Sequence, residues 1–165
     1  MKLIYGLHDP RYVSDEQVLH YANRIGLDGD IYRMEEYSES TRKKYNYLGN
    51  TMPEVLIFNS KGQLTSFELN CSSRLDSIVT LKIASIDQMA TKGNDLNNLL
   101  YDTYPLLTKT NLDTTIIEQP LYVVKFAEFA GKLNKEILPG LIQHLKSRTD
   151  VKYILLNQDY TISEK

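Results

Sequence analysis

His8 and Asp9 put an imidazole next to a carboxylate directly after the apolar run KLIYGL (2–7). These residue types serve general acid–base work, or half of a metal site. Zinc needs three or four ligands, and no second histidine lies at ligand spacing, because His20 and His144 fall within segments of helical periodicity. The plainer reading makes Asp9-Pro10 a turn and His8 a polar residue at a strand end. Cys71, the one cysteine, lies in NCSSR (70–74) with Arg74 close by and a helix start after it. A cation and a helix N-terminus are what lower a thiol pKa; the alternative is a partly buried cysteine acting as a small apolar residue. A dithiol site would suit FAEFAGKL (126–133), between an apolar run and a helical segment, but the two positions available to thiols hold Ala130 and Leu133. Glu35, Glu36 and Glu39 make an acidic patch that Arg42, Lys43 and Lys44 follow at once, which reads as a solvated helix with pairing such as Glu39–Lys43. Lys61-Gly62 is turn chemistry, and no Gly-x-Ser-x-Gly, Walker or dinucleotide fingerprint occurs.

The elements that would carry these residues alternate between strand and helix. KLIYGL reads as a strand, and HDPRY as a turn. Ser14 with Gln17 is a capping-box signature, after which Val18, Tyr21, Ala22 and Ile25 share a helical face that stops at Gly26. DIYRME (30–35) reads as a strand and SESTRKKYNYLG (38–49) as a polar helix capped by Ser38 or Ser40. TMPEVLIFNSKGQLTSFEL (51–69) is a β-hairpin about an Asn-Ser-Lys-Gly turn. Asn70 and Ser72 can cap a helix over about 73–83. DLNNLLYDTYPLL (95–107) reads as a helix ending near Pro105, and KTNLDTT as a loop. LYVVKFAEF, NKEILPGLIQHLK and VKYILLN then read as strand, helix and strand, before a polar tail QDYTISEK.

The chain has 165 residues, 42% hydrophobic and 24% charged, with a net charge of −2. That is enough for one domain with a proper core. The charge carries no nucleic-acid footprint, no apolar run approaches a membrane span, and a single cysteine permits no intrachain disulfide. MKLIYGLHDP lacks the apolar stretch of a signal peptide. The expectation is a soluble protein, cytoplasmic by default, with export left open for a chain whose leader has been removed. Most of the twelve tyrosines fall in apolar runs and are expected to pack with their hydroxyls at the surface.

Two stretches resemble the thioredoxin-like superfamily. TMPEVLIFNSKGQLTSFEL looks like that fold's second half, in which a cis-proline preceded by a Thr or similar residue opens a strand; Pro53 would be that proline. YVVKFAEFAGKLNKEILPGLIQHLKSRTDVKYILLNQD looks like its first half: strand, redox turn, long helix with an internal proline, strand ending in Asn-x-Asp. The order is reversed, and aligning on the turn puts Pro139 one residue late; the frame that corrects Pro139 brings Gly131 and Asn134 to the cysteine positions. HDPR (8–11) is the other candidate for the redox turn, because His8 and Pro53 are separated by about the interval that the family keeps between that turn and its cis-proline. The resemblance implies an α/β fold, a thioredoxin-like mixed sheet flanked by helices with an appended C-terminal β-α-β unit. Within one domain, 1–85 would be the thioredoxin-like unit, 86–118 a helical connector and 119–165 the appended unit. A single permuted domain is the alternative. Neither turn has a thiol, so a non-redox module that binds a peptide or protein, without cofactor or metal, is the leading reading. His8, Asp9, Pro10, Arg11, Thr51, Met52 and Pro53 would line its groove. An enzyme using Cys71 or His8-Asp9, and a module that oligomerises with its own copies, are the competing readings.

Overall fold

A computed structural model of the chain describes residues 7–48, 54–67, 81–109 and 118–162. Thr51, Met52, Pro53 and Cys71 lie outside the described residues, as do nearly all of KLIYGL and KTNLDTT and the helix expected over 73–83 up to residue 80. The fold is α/β, a mixed seven-stranded sheet flanked by helices.

In chain order the elements are strand β1 (Tyr12–Val13), helix α1 (Asp15–Arg24), β2 (Ile31–Met34), a 3₁₀ segment (Arg42–Leu48), β3 (Val55–Phe58), β4 (Gln63–Thr65) and α2 (Ile83–Asp87). They continue with β5 (Thr91–Asp95), α3 (Leu96–Tyr101), β6 (Thr103–Leu107), β7 (Leu121–Phe126), a short 3₁₀ turn (Glu128–Ala130), α4 (Lys132–Ser147), β8 (Lys152–Asn157) and β9 (Tyr160–Thr161). The large sheet runs β5-β4-β3-β7-β8-β2-β6. β7, β8 and β2 are parallel, with Val123 opposite Ile154 and Ile31 opposite Leu155, while β3 and β6 flank them antiparallel. β1 and β9 form a separate parallel pair.

β7 lies at the middle of the sheet because all six of its residues are buried. Its run LYVVKF, apolar but for Lys125, has the character of a strand covered on both faces. On one face Tyr122, Val124 and Phe126 pack with Val18 and Tyr21 of α1 and Leu138, Leu141, Ile142 and Leu145 of α4. On the other, Leu121 and Val123 meet Tyr45 and Leu48 of the 3₁₀ segment and Leu96 and Leu99 of α3.

Local signals account for several elements. Ser14 accepts from Gln17 N–H at 3.3 Å and its own N–H donates to Gln17 Oε1 at 2.8 Å, so the capping box forms. Gly26, with φ 74°, takes the left-handed turn after α1 that a side chain would disfavour. The hairpin turn closes through Asn59, whose Oδ1 accepts from the N–H groups of Lys61 and Gln63.

Other expectations are corrected. Residues 38–49 hold a 3₁₀ segment kinked at Tyr45 in place of a regular helix, with Tyr45 and Leu48 buried. The stretch read as a helical connector carries two strands: α3 stops at Tyr101, and Pro105 sits in β6, an edge strand where its missing N–H is tolerated. The unit read as appended, β7-α4-β8, lies inside the sheet, and β7 and β8 separate β2 from β3. Among the described residues, the strands of 1–85 therefore do not form one continuous sheet. The stretch read as a polar tail holds β9, with Tyr160 and Thr161 buried.

Candidate functional site

The parallel strands β7, β8 and β2 end on one side of the sheet, where open α/β sheets hold their ligands. The chain leaves β7 through Ala127 and the short turn 128–130. Gly131 then adopts φ 56°, a conformation costly for any residue with a Cβ, and starts α4. The turn is fastened from the end of β8. The Asp159 carboxylate accepts from Glu128 N–H at 2.8 and 3.0 Å and from Asn157 Nδ2 at 2.8 Å, and Gln158 N–H donates to the Phe126 carbonyl at 2.9 Å. Burial pushes the Asp159 carboxyl up, against the pull of its backbone and Asn157 donors.

α1 reaches the same turn. Tyr21 Oη donates to the Gly131 carbonyl at 3.4 Å and accepts from Asn134 Nδ2 at 2.8 Å. Asn134, fully buried, also donates to the Ala127 carbonyl, while its Oδ1 has no partner. Burial, the largest influence, raises the Tyr21 phenol above its ordinary value. Arg24, one turn further along α1, lies over the Tyr21 ring with its guanidinium carbon 5.3 Å from the ring centre.

The stretch before β1 completes the site. His8 N–H donates to the Phe129 carbonyl at 2.9 Å, and the Arg11 carbonyl accepts from Tyr160 N–H at 3.2 Å. The two candidate turns, HDPR and FAEFAGKL, thus lie against each other. They enclose a cavity of about 330 Å³ whose lining includes His8, Arg11, Glu128, Lys132 and Lys135. A second hollow of about 350 Å³ lies beside it, sharing Arg11, Arg24 and Glu128 and adding His20. Arg11 Nη2 is 2.8 Å from Glu128 Oε2, and Arg24 Nη2 is 3.9 Å from Oε1. The hydrogen bond to Glu128 raises the Arg11 pKa further above its ordinary value.

Of the residues singled out from sequence, His8 and Arg11 line this cavity, and Asp9 and Pro10 do not. Thr51, Met52 and Pro53 lie outside the described residues. Ala130 is fully buried in the turn, and Leu133 and Asn134 belong to α4. Sequence reasoning missed Arg24, Glu128 and Asp159. The Asn-x-Asp at the end of β8 was visible, but its grip on a turn some thirty positions earlier was not. A second missed group is Lys125, fully buried on β7, whose ammonium donates to the Leu48 carbonyl and pairs with Glu54. Its signal was a lysine inside an otherwise apolar strand.

Among the described residues no three His, Cys, Asp or Glu side chains gather as a metal site requires, and no helix is long and apolar enough to cross a membrane. No family model, curated protein or solved structure matches the chain.

Proposed function

We propose that this chain is a non-redox, thioredoxin-like binding module that takes an extended peptide segment of a protein partner at the cavity between HDPR and the turn after β7. The observation that carries the reading is the His8 N–H to Phe129 carbonyl bond, which joins both candidate turns at one cavity. Thiol–disulfide exchange needs an attacking thiolate and a resolving thiol, and positions 8, 11, 130 and 133 hold His, Arg, Ala and Leu. Two further features support the reading. The hairpin β3-β4 and the unit β7-α4-β8 lie side by side, β3 antiparallel to β7. That adjacency favours the permuted arrangement, with both halves of the resemblance in one sheet in reversed chain order. The site also lies at the carboxyl ends of the parallel strands.

Titrating extended peptides into isotope-labelled protein tests the reading. Amide shifts at 8–11 and 128–132, with binding lost specifically in His8→Ala and Lys132→Ala, are the expected result. Binding unchanged in both variants would count against this groove.

A further inference from the structure

The cavity at the end of β7 is cationic on a chain that is net negative. Arg11, Arg24, Lys132 and Lys135 contribute to it or to the hollow beside it, against the carboxylates of Glu128 and Glu16, while the whole chain carries −2. A local field opposite in sign to the molecule's own charge selects a ligand by charge. Glu128 shows which groups would do the selecting. Its carboxylate hydrogen-bonds Arg11 at 2.8 Å but stops 3.9 Å from Arg24, beyond hydrogen-bond range. Arg24 is meanwhile held by the Tyr21 ring, and Tyr21 by Asn134 and Gly131, so its guanidinium is positioned without being saturated. Both arginine side chains remain open to solvent, 64% and 53% exposed, and so accessible to a ligand.

We infer that Arg11 and Arg24 form an oxyanion site for a carboxylate or phosphate, which Glu128 occupies in the free protein and an acidic segment of the partner displaces. This rests on the reading of the cavity as a peptide groove and adds the ligand's chemistry to it. The Glu128 side chain then works as an internal competitor. Its backbone N–H stays bonded to Asp159 whichever way the carboxylate points, so exchange requires only a side-chain rotation. A planar guanidinium offers two parallel donors to an incoming carboxylate, a geometry that Arg24 does not make with Glu128.

The experiment titrates hexaglutamate, hexaglutamine and inorganic phosphate into the wild-type chain, Glu128→Gln, and the double variant Arg11→Gln/Arg24→Gln, reading amide shifts and Kd. Arg11 and Arg24 are exposed and Glu128 is partly buried, so thermal melts of the variants serve as the fold control. Hexaglutamate should shift Arg11, Arg24, Glu128 and Gly131. It should bind about fivefold tighter to Glu128→Gln, the effect of removing one partly exposed ion-pair competitor. It should bind at least about tenfold weaker to the double variant and weaken in high salt. Phosphate that shifts the same amides and binds as tightly as hexaglutamate upholds the oxyanion site and assigns it to a free anion. Equal binding of hexaglutamate and hexaglutamine, indifferent to Glu128→Gln, overturns the oxyanion site and leaves the peptide groove standing. No shift at these residues with any probe overturns both.

Discussion

Lys125 is the least exposed cation among the described residues, and its ammonium meets the Glu54 carboxylate and the Leu48 carbonyl. Breaking a buried pair from one side leaves the other charge stranded. Lys125→Met should therefore lower unfolding free energy by about 3–5 kcal/mol, and Lys125→Met/Glu54→Gln should recover most of that loss in urea titrations. The pH dependence follows from the same burial. Desolvation depresses the Lys125 pKa, with Glu54 pulling the other way. Between that depressed value and about 10.4 the unfolded chain binds more protons than the folded one, so stability rises with pH across the window. Urea midpoints followed as pH rises towards the ordinary lysine range should show a rise in the wild type that the double variant lacks. Asp28 gives a slope of the same sign in the acid range, but from attraction rather than from burial. Hydrogen bonds from Lys109 and Lys146 hold its carboxyl down at about 2. Its stability contribution is present above the ordinary carboxylate range and disappears as pH falls towards 2. Asp28→Asn should flatten that acid limb of the stability profile.

At the scale of elements, β1 and β9 depend on Arg33. Its guanidinium, 1% exposed, donates to the Val13 carbonyl at 2.7 Å and the Tyr160 carbonyl at 2.9 Å, and meets Asp15 Oδ1 at 2.5 Å. Arg33→Met should cost about 3 kcal/mol, the loss of charged buried hydrogen bonds. Hydrogen exchange should show Tyr160 and Thr161 opening before the large sheet. The capping box makes a smaller test: Ser14→Ala should cost about 1 kcal/mol in the same titrations. These two cases mark the border of what the sequence made legible. Ser14, Gln17 and Gly26 act within one helix, so their types and spacing suffice to place α1. By its composition β9 belongs to a polar tail, since Gln158, Asp159 and Thr161 are polar, and they are buried because residues far along the chain hold them. Pro105 misled similarly: it ends a helix by local rules, but at a sheet edge it is tolerated within a strand.

For the whole molecule, the strand order puts β7 and β8 between β2 and β3. Hydrophobic pattern placed β2, β3, β4, β7 and β8 within a few residues, but pairings such as Ile31 with Leu155 join positions too distant for periodicity to report. The alternation of strands and helices carried the fold class; the site, which gathers residues 8–24, 128–135 and 159, depended on the order it could not supply. A fragment ending at residue 85 would leave β2 without β8 and β3 without β7. It should give no cooperative thermal transition by circular dichroism, whereas the full chain should. Pairings across so much of the chain also predict folding in the slower, millisecond-to-second range in stopped-flow refolding.

The bonds from Asp159 to the backbone of the 128–131 turn separate that turn's shape from the identity of its side chains. Position 128 can therefore change chemistry while the loop keeps its path, as interchangeable bits do in a fixed chuck, whereas Ala130 is packed in the core. The Asn157-x-Asp159 clasp and the glycine at 131 thus set the path of the turn, and the residue at 128 sets the charge that the turn presents.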